Sequence, residues 1–416
     1  MAKVKVVTLG CKANQYDSEQ LKKEFQNKGW EIVSGDQVPN IFLVNSCTVT
    51  NEAARQSRQR LRKMSKEGKT PFLVLYGCYP QAYPQQTEKI PGVDLVIGRQ
   101  DFDKTVELIE SASGIKPLRK KADQDLFYSN RTRAFLKIEE GCESFCAYCI
   151  VPRARGRVWS KPVDEIMEEI EALITSGFKE VVLTGIHLGF YGRDRRGNLS
   201  LEKVIERILE TPLPRLRLSS LEINEVSEEL LDLMEGENAL CPHLHLPLQS
   251  GSDKILEIMN RKYKARDFLA KTNYFKSRIP DLGLTTDVMV GFPGETEEDF
   301  DKTVEVVKEV GFGRIHVFSY SKRAGTPAAR MNQQITGPEK KKRNQFLRAI
   351  GEEQQAMFNS KYLGREMEVL VEGTEPAQGW SSNYIKYYFE EDLEQGELIK
   401  VRGEKLFQDG IWGKEV

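Results

Sequence analysis

The chain has 416 residues, enough for roughly two or three domains and a large buried core. Its 61 basic and 62 acidic residues nearly cancel, so the total charge indicates neither a nucleic-acid partner nor a membrane surface. No stretch approaches the ~20 apolar residues of a membrane helix, and the start, MAKVKVVTLGCK, reads as a β-strand rather than a signal peptide. We therefore expect a cytoplasmic protein whose seven cysteines stay reduced and free to bind metal.

The first 125 residues alternate apolar runs with amphipathic stretches. VKVVTLG, IFLVNS and FLVLYG read as buried parallel strands, whereas DSEQLKKEFQNKG and NEAARQSRQRLRKMSK read as helices. This alternation predicts a doubly wound α/β domain at residues 1–125. The charged segment KPLRKKADQDLFYSNRTR has weak periodicity, and we interpret it as a linker.

A second alternating series begins at Ala134. Its predicted strands are AFLKI, EVVLTG, RLRLSS, HLHLPL, LTTDVMV and RIHVFSY, with helical stretches between them. Six β/α repeats over residues 134–360 predict a partial (β/α)6 barrel with its chemistry at the C-terminal ends of the strands. Residues 361–416 change to short strand-like runs broken by Gly, Pro and acidic residues, which predicts a small β-barrel module. The predicted fold class is therefore α/β with a C-terminal β module.

Three cysteines of the first domain follow predicted parallel strands. Cys11 follows VKVVTLG, Cys47 follows IFLVNS, and Cys78 follows FLVLYG. In open α/β sheets these strand ends line one crevice, where ligands bind. A single buried cysteine usually packs as a small hydrophobe. Three at the same topological position favour a cluster of thiols.

A second triplet, Cys142, Cys146 and Cys149, has the spacing C-x3-C-x2-C on the loop after the first barrel strand. Structural zinc and ordinary iron–sulfur sites use four protein ligands, and no nearby His or Cys supplies a fourth. Three soft thiolates suit a [4Fe–4S] cluster that leaves one iron open to a chelating substrate.

The four histidines fall on or beside predicted barrel strands: His187, His243, His245 and His316. His243 and His245 form an H-x-H pair on one strand face, which could supply two metal ligands. Such a pair is more often part of the polar lining of a barrel, and we favour that interpretation.

The C-x3-C-x2-C loop of a partial barrel resembles the radical S-adenosylmethionine (SAM) enzymes. In that superfamily SAM chelates the open iron and yields a 5′-deoxyadenosyl radical. Six segments further resemble the methylthiotransferase family: TLGCKANQYDSEQL, VNSCTVTNEAARQSRQ, YGCYPQ, EEGCESFCAYCIVPRARGR, HLPLQSGSDKILEIMNRKY and TDVMVGFPGETEEDF. The resemblance covers essentially the whole chain and implies a methylthiotransferase domain, a radical SAM barrel and a TRAM-type β module at residues 361–416.

The resemblance also implies two [4Fe–4S] clusters. Cys142, Cys146 and Cys149 would hold the radical SAM cluster, and the N-terminal triplet would hold an auxiliary cluster that carries the sulfur. One SAM would donate the methyl group, and a second would supply the radical that removes hydrogen from an unreactive carbon. A reductant such as flavodoxin or ferredoxin would deliver the electron. Cys241, the seventh cysteine, is expected to be a plain core residue.

Candidates for holding the organic end of SAM all follow predicted barrel strands: Thr184, Gly185, Ser220, Glu222, Gln249 and Gly291. By family analogy the backbone around Thr184 and Gly185 would meet the SAM amino group, and Ser220 and Glu222 could hydrogen-bond the ribose. The alternative is ordinary turn and capping chemistry at these strand ends. In that reading Ser252, Asp253 and Glu295 cap the helices that follow.

Basic segments flank the predicted reaction centre. Residues 51–69 carry seven Lys and Arg against two Glu, and residues 321–350 carry eight against one. Arg153, Arg155 and Arg157 follow the cysteine loop directly. Such segments suit the phosphate backbone of RNA, although helices often carry solvated Lys and Arg faces.

The C-terminal module is acidic, with seven Lys and Arg against twelve Asp and Glu. GWSSNYIKYYF nevertheless offers Trp380, Tyr384 and Lys386 as RNA-binding candidates. An acidic EEDLEQGE run follows at once. The module is therefore expected to touch RNA with one face or to steer the choice of substrate.

Three branches of the family modify isopentenyladenosine in tRNA, threonylcarbamoyladenosine in tRNA, or an aspartate of a ribosomal protein. CKANQYDSE, CTVTNEAARQSRQ, RARGRVWS and SSNYIKYY resemble the threonylcarbamoyladenosine branch. The resemblance implies methylthiolation of carbon 2 of N6-threonylcarbamoyladenosine at tRNA position 37. The other two substrates are alternatives, and so is a zinc-containing RNA-binding protein without catalysis.

Overall fold

A computed structural model describes residues 2–66, 71–117, 132–195, 197, 199–374, 376–390 and 393–416. Most of the predicted linker, residues 118–131, lies outside these ranges, as do Glu391 and Asp392 of the acidic run. In the described part of the chain, no helix is both long enough and apolar enough to cross a membrane.

The N-terminal unit is built on a parallel five-stranded sheet. Its strands are β1 (Lys3–Thr8), β2 (Glu31–Ile32), β3 (Ile41–Ser46), β4 (Phe72–Gly77) and β5 (Leu95–Gly98), in the order β2-β1-β3-β4-β5. Helices α1 (Lys12–Asn27), α2 (Asn51–Lys66), α3 (Cys78–Ala82), α4 (Pro84–Thr87) and α5 (Thr105–Ser113) connect and cover them. Every residue of β3 is buried, as expected of a central parallel strand with an unbroken apolar run.

Six parallel strands form the central partial barrel: β6 (Arg133–Lys137), β9 (Glu180–Thr184), β10 (Arg215–Leu218), β11 (His243–His245), β12 (Gly283–Val290) and β13 (Arg314–Ser319). They pair as β6-β9-β10 and β11-β12-β13, and isolated bridges at Leu216–Leu240 and Ser220–His245 join the two halves. The short antiparallel pair β7 (Glu139–Glu140) and β8 (Trp159–Ser160) flanks the cysteine loop after β6.

The barrel helices are α6 (Val151–Arg155), α7 (Val163–Thr175), α8 (Leu201–Leu209), α9 (Glu228–Gly236), α10 (Asp253–Ile258), α11 (Ala265–Arg278), α12 (Glu297–Val310) and α13 (Gly337–Ser360). In α8 the buried residues are Leu201, Val204, Ile205 and Ile208, the spacing of a helix with one apolar face. This face joins the largest hydrophobic core of the protein, inside the ring of barrel helices.

The C-terminal unit is a closed five-stranded barrel. Its strands are β14 (Glu366–Thr374), β15 (Ala377–Ser381), β16 (Lys386–Tyr388), β17 (Leu398–Phe407) and β18 (Gly410–Glu415), in the order β14-β15-β16-β18-β17. It encloses its own small apolar core. The predicted fold class, an α/β chain with a partial barrel and a small C-terminal β-barrel, is therefore confirmed.

Candidate active site

The three N-terminal cysteines lie together at the carboxyl edge of the sheet. Cys11 directly precedes α1, Cys47 follows β3, and Cys78 begins α3. Gly10 has a φ of +105°, and a Cβ there would lie 2.6 Å from the Cβ of Cys47. The Oδ1 atom of Asn14 lies 3.9 Å from Cys11 Sγ and 3.7 Å from Cys78 Sγ. The structure thus gathers three thiols from distant parts of the sequence.

Burial favours the protonated form of two thiols, those of Cys47 and Cys78. It raises the pKa of the Cys78 thiol to about 12, and a nearby guanidinium, that of Arg155, opposes the rise. Burial likewise raises the pKa of Cys47. Without a bound group these thiols are therefore protonated at neutral pH, and metal binding would release their protons.

The second triplet lies on the loop between β7 and α6. The backbone N–H of Cys149 donates to the carbonyl of Cys146 at 2.9 Å, and the Cys142 N–H donates to the Gly156 carbonyl at 3.2 Å. Gly141 has a φ of +91°, and a Cβ there would come within 1.9 Å of the Arg157 carbonyl oxygen. The loop therefore depends on glycine at position 141 to keep its path.

Residues that follow α10 hold this loop from the other side. The Asn260 side-chain amide donates to the carbonyls of Ser144 at 3.2 Å and Phe145 at 3.1 Å. Arg261 donates to Cys146 Sγ at 3.5 Å and pairs with Glu222 at 2.8 Å. Asn260 and Arg261 belong to the MNRKY segment, but the loop residues that they contact lie more than 100 positions away, so sequence spacing did not indicate these contacts.

His187 contacts the first cysteine of the loop. Its Nδ1 atom lies 3.5 Å from Cys142 Sγ and 3.0 Å from Ser144 Oγ, and its Nε2 atom lies 2.7 Å from Glu225 Oε1. Burial alone would lower the pKa of His187, but Cys142 and Glu225 raise it to about 9. Burial would also raise the pKa of Cys142, yet His187 and Ser144 hold it below its usual value. The pair favours the thiolate, the form of cysteine that binds iron.

Both triplets suit an iron–sulfur cluster better than a single ion. Among the described residues, no three His, Cys, Asp or Glu side chains converge closely enough to hold one metal ion. The thiolates of a cluster bind different irons and are spread more widely than the ligands of one ion. Three cysteines at each position fit a [4Fe–4S] cluster with one iron left open, whereas a structural zinc site needs a fourth ligand, and His187 beside Cys142 is already engaged by Ser144 and Glu225.

The predicted SAM-binding residues lie at the carboxyl ends of β9 to β12. Thr184 is buried at the end of β9, and a Cβ at Gly185 would lie 2.6 Å from Oε2 of Glu139. Ser220 is exposed beside β11. Glu222 is engaged by Arg261. The space at Gly185 is therefore occupied by a side chain, that of Glu139.

Two later candidates have positive φ angles, which are unusual for Gln249 and ordinary for Gly291. Gln249 has a φ of +62°, rare for a residue other than glycine, and its buried Oε1 has no hydrogen-bond partner among the described residues. Gly291 has a φ of +71°. Strain and an unsatisfied buried acceptor are typical of positions that contact a ligand.

The capping alternative is right at one helix and wrong at another. Ser252 caps α10, since its hydroxyl accepts a hydrogen bond from Ile255 N–H. Glu295 does not cap α12, because Thr296 is the N-cap and forms a capping box with Asp299. Glu295 instead accepts from Gly291 N–H and pairs with Arg343 at 2.9 Å.

Glu139 is a residue that sequence reasoning missed. Its side chain is fully buried beside the cysteine loop, and its Oε2 accepts the backbone N–H of His187 at 2.7 Å. Burial raises its pKa to about 8. A buried carboxyl at the first barrel strand has no signature in the local sequence, because only the fold closes the space around it.

Of the three arginines predicted to bind RNA, two are exposed and one is buried. Arg153 on α6 and Arg157 just after it are exposed beside a cleft of about 600 Å³ between the N-terminal unit and the barrel. The Arg155 side chain is only 2% exposed, and carboxylates and a thiol occupy its donors. Because this side chain is buried and its nitrogens already bind partners inside the protein, Arg155 is not an RNA-binding residue.

The aromatic RNA-binding candidates of the C-terminal barrel pack within the protein. Tyr384 stacks on Trp380, with ring centroids 4.5 Å apart, and on His243 at the same distance. Lys386 lies 3.4 Å from Asp409. The structure therefore uses these rings to join the two barrels.

The histidine pair lines the barrel as we favoured. His243 and His245 both contact Thr285 Oγ1, at 3.0 and 2.9 Å. His245 and His316 each lie 3.4 Å from Asp287. The pair therefore lies in a hydrogen-bonded polar network.

Comparisons with known proteins agree with this geometry. The family model of the radical SAM superfamily matches residues 136–307, and that of the uncharacterized protein family UPF0004 matches residues 3–98. The chain is 37% identical to threonylcarbamoyladenosine tRNA methylthiotransferase MtaB of Bacillus subtilis, covering 97% of this chain and 94% of that protein. It is 32% identical to tRNA-2-methylthio-N(6)-dimethylallyladenosine synthase of Syntrophus aciditrophicus, covering 88% and 83%.

A solved structure supports the fold. The radical SAM methyltransferase TsrM of Kitasatospora setae, with cobalamin and a [4Fe–4S] cluster bound, superposes with a TM-score of 0.60 at 15% identity. The alignment covers 79% of this chain and 77% of that one. At this identity the similarity concerns the fold alone.

Proposed function

The chain belongs to the radical SAM tRNA methylthiotransferases, and from that premise we propose that it methylthiolates carbon 2 of N6-threonylcarbamoyladenosine at tRNA position 37. Two SAM molecules would be consumed, one for the methyl group and one for the radical. The Bacillus subtilis relative is named for this substrate, and the match spans nearly its whole length. The presence of two separate cysteine triplets in one chain supports the methylthiolation chemistry, and the likeness to the Bacillus subtilis relative supports the substrate.

The two cysteine triplets hold different clusters in this proposal. We assign the radical SAM cluster to Cys142, Cys146 and Cys149. The auxiliary, sulfur-carrying cluster is assigned to Cys11, Cys47 and Cys78. When bound, the clusters and SAM supply the electron, the radical and the sulfur. The protein supplies position and exclusion of water.

Specific residues have specific tasks in this proposal. His187 and Ser144 lower the pKa of Cys142 and so favour its thiolate, and Asn260 fixes the backbone of the cysteine loop. Gln249 Oε1, at a strand end, accepts no hydrogen bond from the residues that the structure describes, and we assign it to a donor group of SAM. Thr184, Gly185, Ser220, Glu222 and Gly291 remain candidates for the other contacts with SAM.

The three structural units also have assigned roles. The N-terminal unit (1–125) would carry the auxiliary cluster, the barrel (134–360) would bind SAM, and the C-terminal barrel (361–416) would contribute to substrate recognition. A reductant of the flavodoxin or ferredoxin type would supply electrons. Because the substrate would be tRNA, we propose that the enzyme acts in the cytoplasm.

Mass spectrometry of tRNA nucleosides from cells lacking the gene tests the substrate. We expect the methylthio derivative of threonylcarbamoyladenosine to disappear and its precursor to accumulate. Loss of the methylthio derivative of isopentenyladenosine instead would assign the chain to the branch of its Syntrophus relative. Unchanged tRNA with loss of a methylthiolated ribosomal-protein aspartate would contradict a tRNA substrate.

A further inference from the structure

One short helix touches both cysteine triplets. Helix α6 begins two residues after Cys149, and the N–H of its first residue, Val151, donates to Cys149 Sγ at 3.4 Å. Gly156, which ends the helix, accepts the N–H of Cys142 at 3.2 Å. The start and the end of α6 are therefore both fixed to the radical SAM loop.

The last residue of α6, Arg155, reaches the other triplet. Its Nε–H donates to Cys78 Sγ at 3.1 Å, across 77 positions of sequence. Its Nη2 donates to Asn14 Oδ1, the atom that lies near both Cys11 Sγ and Cys78 Sγ. The Asn14 amide is itself anchored to the Leu9 carbonyl at 2.7 Å.

Packing supports the same connection. Ile150 and Ala154, beside and within α6, belong to one hydrophobic cluster with Cys78, Tyr79 and Ala82 of α3. The two helices thus share a core, although one belongs to the barrel and the other to the N-terminal sheet. A shift of α6 would move the environment of Cys78 directly.

The charges around Arg155 do not cancel. Three buried or nearly buried cations, Arg155, Lys137 and Arg99, surround two carboxylates, Asp17 and Glu140. Each cation contacts both carboxylates, so the network of three cations and two anions carries one positive charge in excess. Burying a guanidinium is costly unless an anion compensates it, and a thiolate at Cys78 would supply that anion.

We propose that Arg155 is a positioning residue of the auxiliary cluster, and that α6 fixes that cluster relative to the radical SAM cluster. The inference rests on the proposed function, because it requires a second cluster on Cys11, Cys47 and Cys78. A hydrogen bond and a positive charge at a cluster thiolate favour the more negative, reduced state of the cluster. Arg155 therefore raises the reduction potential of the auxiliary cluster.

The test measures each cluster alone in the full-length chain. Replacing Cys142, Cys146 and Cys149 by alanine leaves only the auxiliary site, and replacing Cys11, Cys47 and Cys78 leaves only the radical SAM site. R155Q is introduced into both backgrounds, and each cluster is titrated by electron paramagnetic resonance under reducing conditions. R153Q is the matched control, because Arg153 lies on the same helix with an exposed side chain.

We expect R155Q to shift the auxiliary cluster to a more negative potential and to change its spectrum, while the radical SAM cluster and R153Q keep wild-type values. An unchanged auxiliary potential and spectrum in R155Q would overturn the inference. If R155Q does not fold, R155K replaces it, since a lysine cannot reach Cys78, Asp17 and Asn14 together; wild-type behaviour of R155K would also overturn it. Absence of iron from the auxiliary-only chain would refute the two-cluster function, and the inference with it.

Discussion

Gly10, directly before Cys11, lies close to Cys47. In G10A the new Cβ would lie 2.6 Å from the Cys47 Cβ, at a φ of +105° that alanine rarely adopts. We expect the auxiliary site to be displaced, so that iron falls from roughly eight to roughly four per chain after anaerobic reconstitution.

Gly35 is the matched control for this measurement. Its φ is +58°, and a Cβ there would meet nothing within 4 Å among the described residues. G35A carries the same kind of backbone strain in the same unit without touching a cysteine. Retention of about eight irons by G10A, or equal iron loss in G35A, would contradict the role of Gly10.

Cys47 and Cys241 are both buried single thiols, yet they should differ in function. Cys47 lies with the auxiliary triplet, whereas Cys241 lies among Leu216 and the barrel arginines. We expect C47A to cleave SAM to 5′-deoxyadenosine without forming methylthiolated tRNA. We expect C241A both to cleave SAM and to form methylthiolated tRNA. The measurement is liquid chromatography of both products from one reaction, and full product formation by C47A would refute the division of labour.

At the scale of secondary-structure elements, apolar runs were sufficient to predict most of the long strands. The buried strands β3 and β4 were predicted because each begins with an unbroken apolar run, IFLV and FLVLY. Strands β2, β7 and β8 have two residues each, too few to show a period. β18 carries glycine at position 413, where a Cβ would lie 2.6 Å from the Arg402 carbonyl oxygen, so its composition does not suggest a strand.

The cysteines of the site could be predicted, whereas the residues around them could not. A cysteine at a strand end is placed by topology alone, since parallel strands end at one edge. Arg155 and Arg261 act on cysteines 77 and 115 positions away, and such pairings exist only after the units pack. The basic charge of its segment led to the prediction that Arg155 binds RNA, because a sequence alone does not distinguish a buried arginine from an exposed one.

Glu180 links neighbouring barrel strands β9 and β10 through Arg217. Arg217 Nε lies 2.7 Å from Glu180 Oε1, and both side chains are buried. Burial alone would raise the pKa of Glu180, but the guanidinium of Arg217 holds it at about 2. We expect E180Q to lose about 3 kcal/mol of unfolding free energy at pH 7, because it leaves a buried arginine without its anion.

The pH dependence of that loss follows from the sign of the shift. Since the folded pKa of Glu180 is below its unfolded value, its contribution is complete above about pH 5 and declines as the pH falls toward 2. Urea unfolding at pH 7 and pH 4 should therefore show a smaller gap between wild type and E180Q at pH 4. E298Q, which changes an exposed carboxylate on α12, serves as the control. A gap that is constant with pH would contradict the assigned pKa.

At the scale of the whole molecule, a stack of aromatic rings joins the two barrels. Tyr384 lies between Trp380 and His243, and Arg217 donates to the carbonyl of Ser382 at 2.8 Å. We expect Y384A to lose about 3 kcal/mol of stability, since it removes a ring packed on both faces. Y384F keeps the ring and should behave as wild type. A melting temperature that is lower for Y384A and unchanged for Y384F supports the packing role. Weaker tRNA binding by Y384A at an unchanged melting temperature would instead show that Tyr384 binds RNA.

Arg153 on α6 and Arg157 just after it are exposed positive charges near the cysteine loop. Arg153 and Arg157 line the cleft between the N-terminal unit and the barrel, and Trp159 at its edge is 44% exposed. A phosphate contact is detected by the dependence of affinity on salt, because each one releases condensed counterions. For R153Q/R157Q we expect weaker binding of an anticodon stem-loop RNA and a log–log salt slope reduced by about one to two.

Fluorescence anisotropy at several salt concentrations measures this slope, and R207Q is the matched control. Arg207 is an exposed arginine on α8 that faces Glu210 on the surface. A general loss of positive charge would change the slope equally in R207Q and in a single variant such as R153Q. A reduction confined to Arg153 and Arg157 instead places the phosphates at the cleft beside α6. RNA would then contact the helix that connects the two cysteine triplets, so binding of the substrate and the spacing of the triplets would depend on the same five-residue element.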